Sequence, residues 1–127
     1  IARGQVAGED AAAARARRVL FCDTDLLTNV LWADLLFPGG CPAWVREEAE
    51  VRSRAYALYL FCDTDLPFAP DPQRCFPDEA GRTMCRRLWL ETLEQRGLPW
   101  VRIHGNWSER ESLAVEAVQK LLNAATR

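Results

Sequence analysis

Leu20-Phe21-Cys22-Asp23-Thr24-Asp25-Leu26 recurs, residue for residue, as Leu60-Phe61-Cys62-Asp63-Thr64-Asp65-Leu66, forty positions later. Each copy closes an apolar run, over residues 19–22 and 55–62. A short, continuous apolar run stopped by an acid reads as a strand buried on both faces, the habit of parallel sheets. The flanks do not repeat. A helical pattern follows the first copy and a proline-rich stretch follows the second. Two units are too few for a stacked repeat architecture. The duplication therefore reads as two strands that end at the same rim with similar chemistry.

Working outward, residues 5–18 are rich in Ala and charge and favour a helix. Leu27, Val30, Leu31 and Leu35 give helical spacing over 26–37, stopped by Pro38-Gly39-Gly40. Pro42 suits the first turn of a helix over 42–54. Residues 63–81 hold Pro67, Pro70, Pro72 and Pro77, which exclude regular structure and predict a long loop. A helix over 82–96 closes at Gly97, a third strand covers 99–103, and Ser108 with Glu111 offers a capping box for a last helix. The order α-β-α-α-β-loop-α-β-α predicts an α/β protein, a three-layer α/β/α sandwich with a mainly parallel sheet.

The chain has 127 residues, long enough for one domain. An apolar content of 49% excludes disorder. No apolar run approaches the ~18 residues that span a bilayer, so no membrane partner is expected. Sixteen basic against eighteen acidic residues leave a net charge of −2, which argues against a nucleic-acid partner. Five cysteines, none in a CxxC pair, and one histidine, His104, do not make a zinc site. Cys22 and Cys62, inside apolar runs, read as small buried hydrophobes of a reduced, cytoplasmic protein. The chain opens at Ile1 without a signal peptide, and we expect a fragment.

Ligands of parallel sheets bind beyond the C-terminal ends of the strands, so Asp23, Asp25, Asp63 and Asp65 are the acids to follow. An apolar strand ending in Asp can bind Mg²⁺ beside nucleotide phosphates, and Asp23 fits that role. The blander reading has Asp23 or Asp25 cap the following helix. Asp23-Thr24-Asp25 also has the spacing of haloacid-dehalogenase-type phosphatases, with a nucleophile and an acid/base two residues apart. Against that, the only lysine, Lys120, lies in the last helical run, and no later strand ends in an acidic pair. Arg74 and Arg82, with Arg86 and Arg87 behind, give the loop the cations of a lid over a phosphate, or else a solvated charged surface. Trp32 and Trp107 are placed to stack on a ring.

Residues 19–25 with Thr28 and Trp32, then Tyr56-Ala57-Leu58-Tyr59-Leu60, Asp65-Leu66-Pro67-Phe68 and Asp71-Pro72-Gln73-Arg74, followed by Gly97-Leu98-Pro99-Trp100-Val101 and Gly105 with Glu109-Arg110, together resemble the NadR-type nicotinamide riboside kinases, a branch of the P-loop AAA-type ATPases. The resemblance runs from about Gln5 to Leu122. It implies a P-loop kinase-like fold, ATP and Mg²⁺ as cofactors, and phosphorylation of a ribosyl nucleoside in NAD biosynthesis. On that basis Asp23 serves the metal, and Asp25 orients the acceptor hydroxyl or acts as its base. Arg74 and Arg82 belong to the lid, while Thr28, Trp32, Asp65 and Asp71 bind substrate. Gly105, Asn106 and Trp107 lie near the adenine.

Two departures qualify the resemblance. No Gly-Lys pair occurs in residues 1–127, so the Gly-rich loop that grips the β- and γ-phosphates is absent from them. The expectation is a partial kinase-like domain over 1–127, incomplete at its N-terminus, that binds ATP poorly and self-associates through an exposed sheet edge. Second, the family's Thr-Asp-Pro-Asp is Cys62-Asp63-Thr64-Asp65 here, without the proline. A catalytically degenerate binding or regulatory module is the alternative.

Overall fold

A computed structural model describes residues 1–126. The protein is α/β, with five helices and a two-stranded parallel sheet among the described residues. Its residues fall into two compact units, Ile1–Tyr56 and Ala57 onward.

The first unit holds helices α1 (Ala2–Arg15), α2 (Leu26–Leu36) and α3 (Ala43–Ala55). Leu27, Val30 and Leu31 of α2 are buried, as are Val45, Ala49 and Ser53 of α3. The i, i+3, i+4 and i, i+4, i+8 spacings put each set on one face. Small residues at 49 and 53 let the two helices approach closely, and Ser53 Oγ donates to the Glu50 carbonyl at 3.1 Å, so its burial leaves no polar atom unpaired. α1 buries no residue. It is held by polar contacts: Arg52 on α3 donates to Glu9 at 3.2 Å and to both carboxylate oxygens of Asp10 at 2.9 and 3.0 Å. Tyr56 donates its phenol to Glu9, and burial followed by that carboxylate raises the phenol's pKa.

The second unit holds β1 (Tyr59–Cys62), α4 (Glu79–Gln95), β2 (Trp100–Ile103) and α5 (Trp107–Ala125). Tyr59, Leu60, Phe61 and Cys62 align with Trp100, Val101, Arg102 and Ile103 in parallel register. Leu93, Leu98 and Ile103 form the buried apolar core. α4 closes with Leu98 N donating to the Leu93 carbonyl at 3.0 Å around Gly97.

Several expectations are corrected. Residues 19–22 form no strand; Val19, Leu20 and Phe21 are exposed, Phe21 at 65%. A strand is defined by its neighbour, and no described segment pairs with this one. β1 is shorter than the apolar run at 55–62, because α3 continues to Ala55. Cys22 and Cys62 are exposed, not buried, since each ends its apolar run at the surface. Pro42 stands at the N-cap of α3, one residue outside the first turn. α4 begins at Glu79, inside the expected loop, because the Asp78 side chain accepts from Gly81 N at 3.1 Å. The last helix is capped by Asn106 with Glu109, not by Ser108 with Glu111.

Candidate functional site

In the first unit the acids follow an irregular segment and open α2. Asp23 is exposed. Thr24 adopts φ +68°, a left-handed conformation that β-branched residues rarely take. That turn aims Asp25 back at the helix it precedes. Asp25 is buried, 5% exposed, and its Oδ1 accepts from Thr28 N at 2.9 Å and from Thr28 Oγ1 at 2.8 Å. The capping role of Asp25 is therefore real, and Thr28 is the residue it holds. Trp32 sits half-buried one turn further along α2.

In the second unit the same heptapeptide does different work. Asp63, immediately after β1, has a side chain only 2% exposed. Its Oδ1 accepts from Arg86 Nε of α4 at 2.6 Å, and Oδ2 accepts from Arg86 Nη2 at 3.0 Å, a bidentate fork. Arg102 Nε of β2 also donates to Oδ2, and Thr64 N donates to Oδ1 at 2.7 Å. These donors favour the ionised carboxylate. The Arg86 guanidinium above all, against the opposing effect of burial, holds Asp63 far below the usual carboxylate range.

Asp65 fastens the end of β1 to the turn after β2. Its Oδ2 accepts from Gly105 N at 2.6 Å, and its Oδ1 is paired with Arg110 of α5. The Gly105 amide is the main cause that lowers its pKa, with the Arg110 charge adding to it. Buried Arg110 also donates to the carbonyls of Gly105 and Asp63, both at 2.9 Å. Gly105 has φ +88°, and a Cβ there would collide with the Glu109 side chain. Asn106 Oδ1 accepts from Glu109 N at 2.9 Å while Glu109 Oε2 accepts from Asn106 N at 2.7 Å, so the turn runs directly into α5. Trp107, 76% exposed, stands at the head of that helix.

The arginine-bearing segment is organised around one ring. The guanidinium carbons of Arg74 and Arg82 lie 5.2 and 4.8 Å from the Phe68 centroid. Arg82 Nη2 also donates to the Thr64 carbonyl at 2.9 Å, which ties the segment to the acid-tipped strand end. Asp71 accepts from Gln73 N at 2.9 Å and lies 3.8 Å from Arg74. Of the residues singled out in the sequence, the structure thus joins Asp25 with Thr28, Asp65 with Gly105, and Arg74 with Arg82 and Asp71. Sequence reasoning missed Arg102 and the buried position of Arg110. Their signal would be two acids close behind one strand, which require cations from elsewhere in the fold.

With that geometry in place, a family profile described as an AAA domain matches residues 1–110. The chain belongs to this family, a nucleotide-binding domain of the P-loop type. No curated protein and no solved structure matches the chain.

The family implies nucleotide and Mg²⁺. Among the described residues no group of three His, Cys, Asp or Glu side chains could hold a metal ion. The single lysine, Lys120, is paired with Glu116 on α5 at 2.8 Å, and no Gly-Lys pair exists in residues 1–127. Asp23 is one exposed carboxylate. By themselves these side chains do not form a magnesium–triphosphate grip. They form a capped acid at the head of α2 and, separately, a strand-end rim lined by acids and arginines.

Proposed function

We propose that this chain supplies the acceptor side and the cationic flap of a nucleotide-dependent kinase that phosphorylates a ribosyl nucleoside, as the nicotinamide riboside kinases do. The supporting observation is the pairing of Arg74 and Arg82 on Phe68, with Arg82 tied to the Thr64 carbonyl between two strand-end acids. Arg82 holds its planar fork beside the C-terminal end of β1, where parallel sheets bind ligands, and Arg74 shares its ring. In this reading Asp25, fixed by Thr28, orients the acceptor hydroxyl. Asp71 contacts the nucleoside, and Gly105 to Trp107 border the base.

A second reading is favoured by a specific observation. Asp63 and Asp65 are fully engaged by Arg86, Arg102, Arg110 and the Gly105 amide, as in a scaffold that binds without turnover. Calorimetric titration of the chain with nicotinamide riboside and other ribonucleosides separates the two. The kinase reading expects nucleoside binding that weakens about tenfold in both Arg82→Ala and Asp25→Asn. Nucleoside binding insensitive to both substitutions supports the regulatory module. No ribonucleoside binding at millimolar concentration would refute the acceptor-side assignment.

A further inference from the structure

Cys75 and Cys85 are two free thiols of the second unit, Cys75 exposed in the arginine-bearing segment and Cys85 half-buried on α4. The residues on either side of Cys75 are both fastened to the start of α4. Before it, Arg74 shares the Phe68 ring with Arg82 of α4. After it, Phe76 packs on Gly81 so closely that a Cβ at Gly81 would lie 2.7 Å from the Phe76 Cβ. Arg82 and Gly81 precede Cys85 by three and four residues, the spacings that share one helix face. From Gly81 to Cys85 the helix rises about 6 Å, and each residue of chain spans about 3.8 Å. Cys75, between its two anchors, is thus held within about one helical turn of Cys85. The two thiols also sense each other: burial first, and then the charge of Cys75, raise the Cys85 pKa.

We infer that Cys75 and Cys85 form a reversible disulfide on exposure to a hydroperoxide, a strap that pins the arginine-bearing segment to α4. The exposed Cys75 reacts first. Its sulfur attacks a peroxide oxygen, the O–O bond breaks, and a sulfenic acid and one water form. The Cys85 sulfur then attacks the sulfenic sulfur. The S–O bond breaks, the S–S bond forms, and the departing hydroxide takes the Cys85 proton as a second water. Two thiols and one hydrogen peroxide become one disulfide and two waters, with two electrons passing from sulfur to oxygen. Turning Cys75 into a neutral sulfenic acid removes one of the two causes that keep Cys85 protonated, so the first step readies the second. Residues 63–78 lie outside any helix or strand, so closing the bond breaks no ladder. The strap encloses residues 75–85 and holds Arg74, the neighbour of Cys75, against the helix that carries Arg82. This inference does not rest on the kinase reading.

The test treats the full chain with one equivalent of hydrogen peroxide, alkylates the remaining thiols and maps the tryptic peptides by mass spectrometry. Cleavage after Arg74, Arg82 and Arg86 separates the two cysteines. Peptides 75–82 and 83–86 should appear joined by a bond that dithiothreitol cleaves, with Cys22, Cys41 and Cys62 alkylated. Cys85→Ser should leave Cys75 as a sulfenic acid that dimedone traps, and Cys75→Ser should leave Cys85 alkylated. Oxidation should slow amide exchange across residues 66–77 by about tenfold or more, reversed by dithiothreitol. Cys75 and Cys85 both alkylated after treatment would overturn the pairing. So would either of them bonded to another cysteine, a joined pair drawn from two chains and seen as a doubled mass on a non-reducing gel, or Cys75 carried on to sulfinic acid with Cys85 still free. Unchanged exchange in the oxidised chain would overturn the strap.

Discussion

Replacing Asp63 with asparagine removes one negative charge and almost no volume, from a side chain that is 2% exposed. Asparagine keeps an oxygen for the Thr64 amide, so the loss falls on the two guanidiniums. Breaking a buried ion pair by removing one partner costs about 3–5 kcal/mol. Here Arg86 and Arg102 are 36% and 46% exposed and can recover water, which sets the cost at the lower end, about 3 kcal/mol. With a urea slope of about 1.5 kcal/mol/M, the unfolding midpoint falls by about 2 M. Trp100, edge-on to Phe61 with centroids 6.2 Å apart, gives a fluorescence probe inside the same unit. The pH dependence follows from linkage. The folded pKa of Asp63 lies below its unfolded value, so the unfolded chain binds more protons in between. Stability from this group is therefore complete above about pH 4 and is lost as the pH falls through the depressed folded value. The gap between the natural protein and Asp63→Asn should be constant near neutrality and close in acid. A midpoint unchanged by the substitution, or a gap that widens on acidification, would refute the account of Asp63 as the ion-paired junction of β1, α4 and β2.

Asp25→Ala should destabilise the first unit by about 1 kcal/mol, read by urea titration of helical circular dichroism, because Thr28 N loses its cap; Asp25→Asn should recover most of that loss. Gly105→Ala, at φ +88° and against the Glu109 side chain, should cost about 1–2 kcal/mol, read as a lowered unfolding midpoint of the second unit. Arg52→Met should leave α2 and α3 protected in amide hydrogen exchange while α1 loses protection, since α1 buries no residue and Arg52 supplies its contacts to Glu9 and Asp10.

The helices were legible because their stops are local. Pro38-Gly39-Gly40 after α2 and Gly97 after α4 act through backbone geometry that needs no partner. The strands were legible only where a partner followed: 60–62 pairs with 101–103, while the identical 20–22 pairs with nothing described. Residue pattern fixes what a strand can bury, not what lies next to it. The cap of α5 shows the same limit at short range. Asn106 with Glu109 and Ser108 with Glu111 have the same spacing, and Gly105 at positive φ decides for the first. At the site, Asp25 and Thr28 are three residues apart and could be read together. Arg102 and Asp63 are thirty-nine apart, and only the β1–β2 register makes them neighbours.

The two copies of Asp-Thr-Asp separate what a motif says from what a site does. In the first, the second acid turns inward to cap a helix and the first is left in solvent. In the second, the first acid turns inward to join three elements, and the second clamps a glycine amide and an arginine. An acid meeting two guanidiniums is worth most to the fold when it stays ionised, and a carboxylate held that firmly in its charged state is a poor proton acceptor. A general base must take up a proton near the working pH. Asp63 is therefore excluded as a base by its own partners. In the first copy Asp23 is in solvent and Asp25 accepts from the amide and hydroxyl of Thr28, so the same tripeptide serves a helix start there and a strand junction in the second.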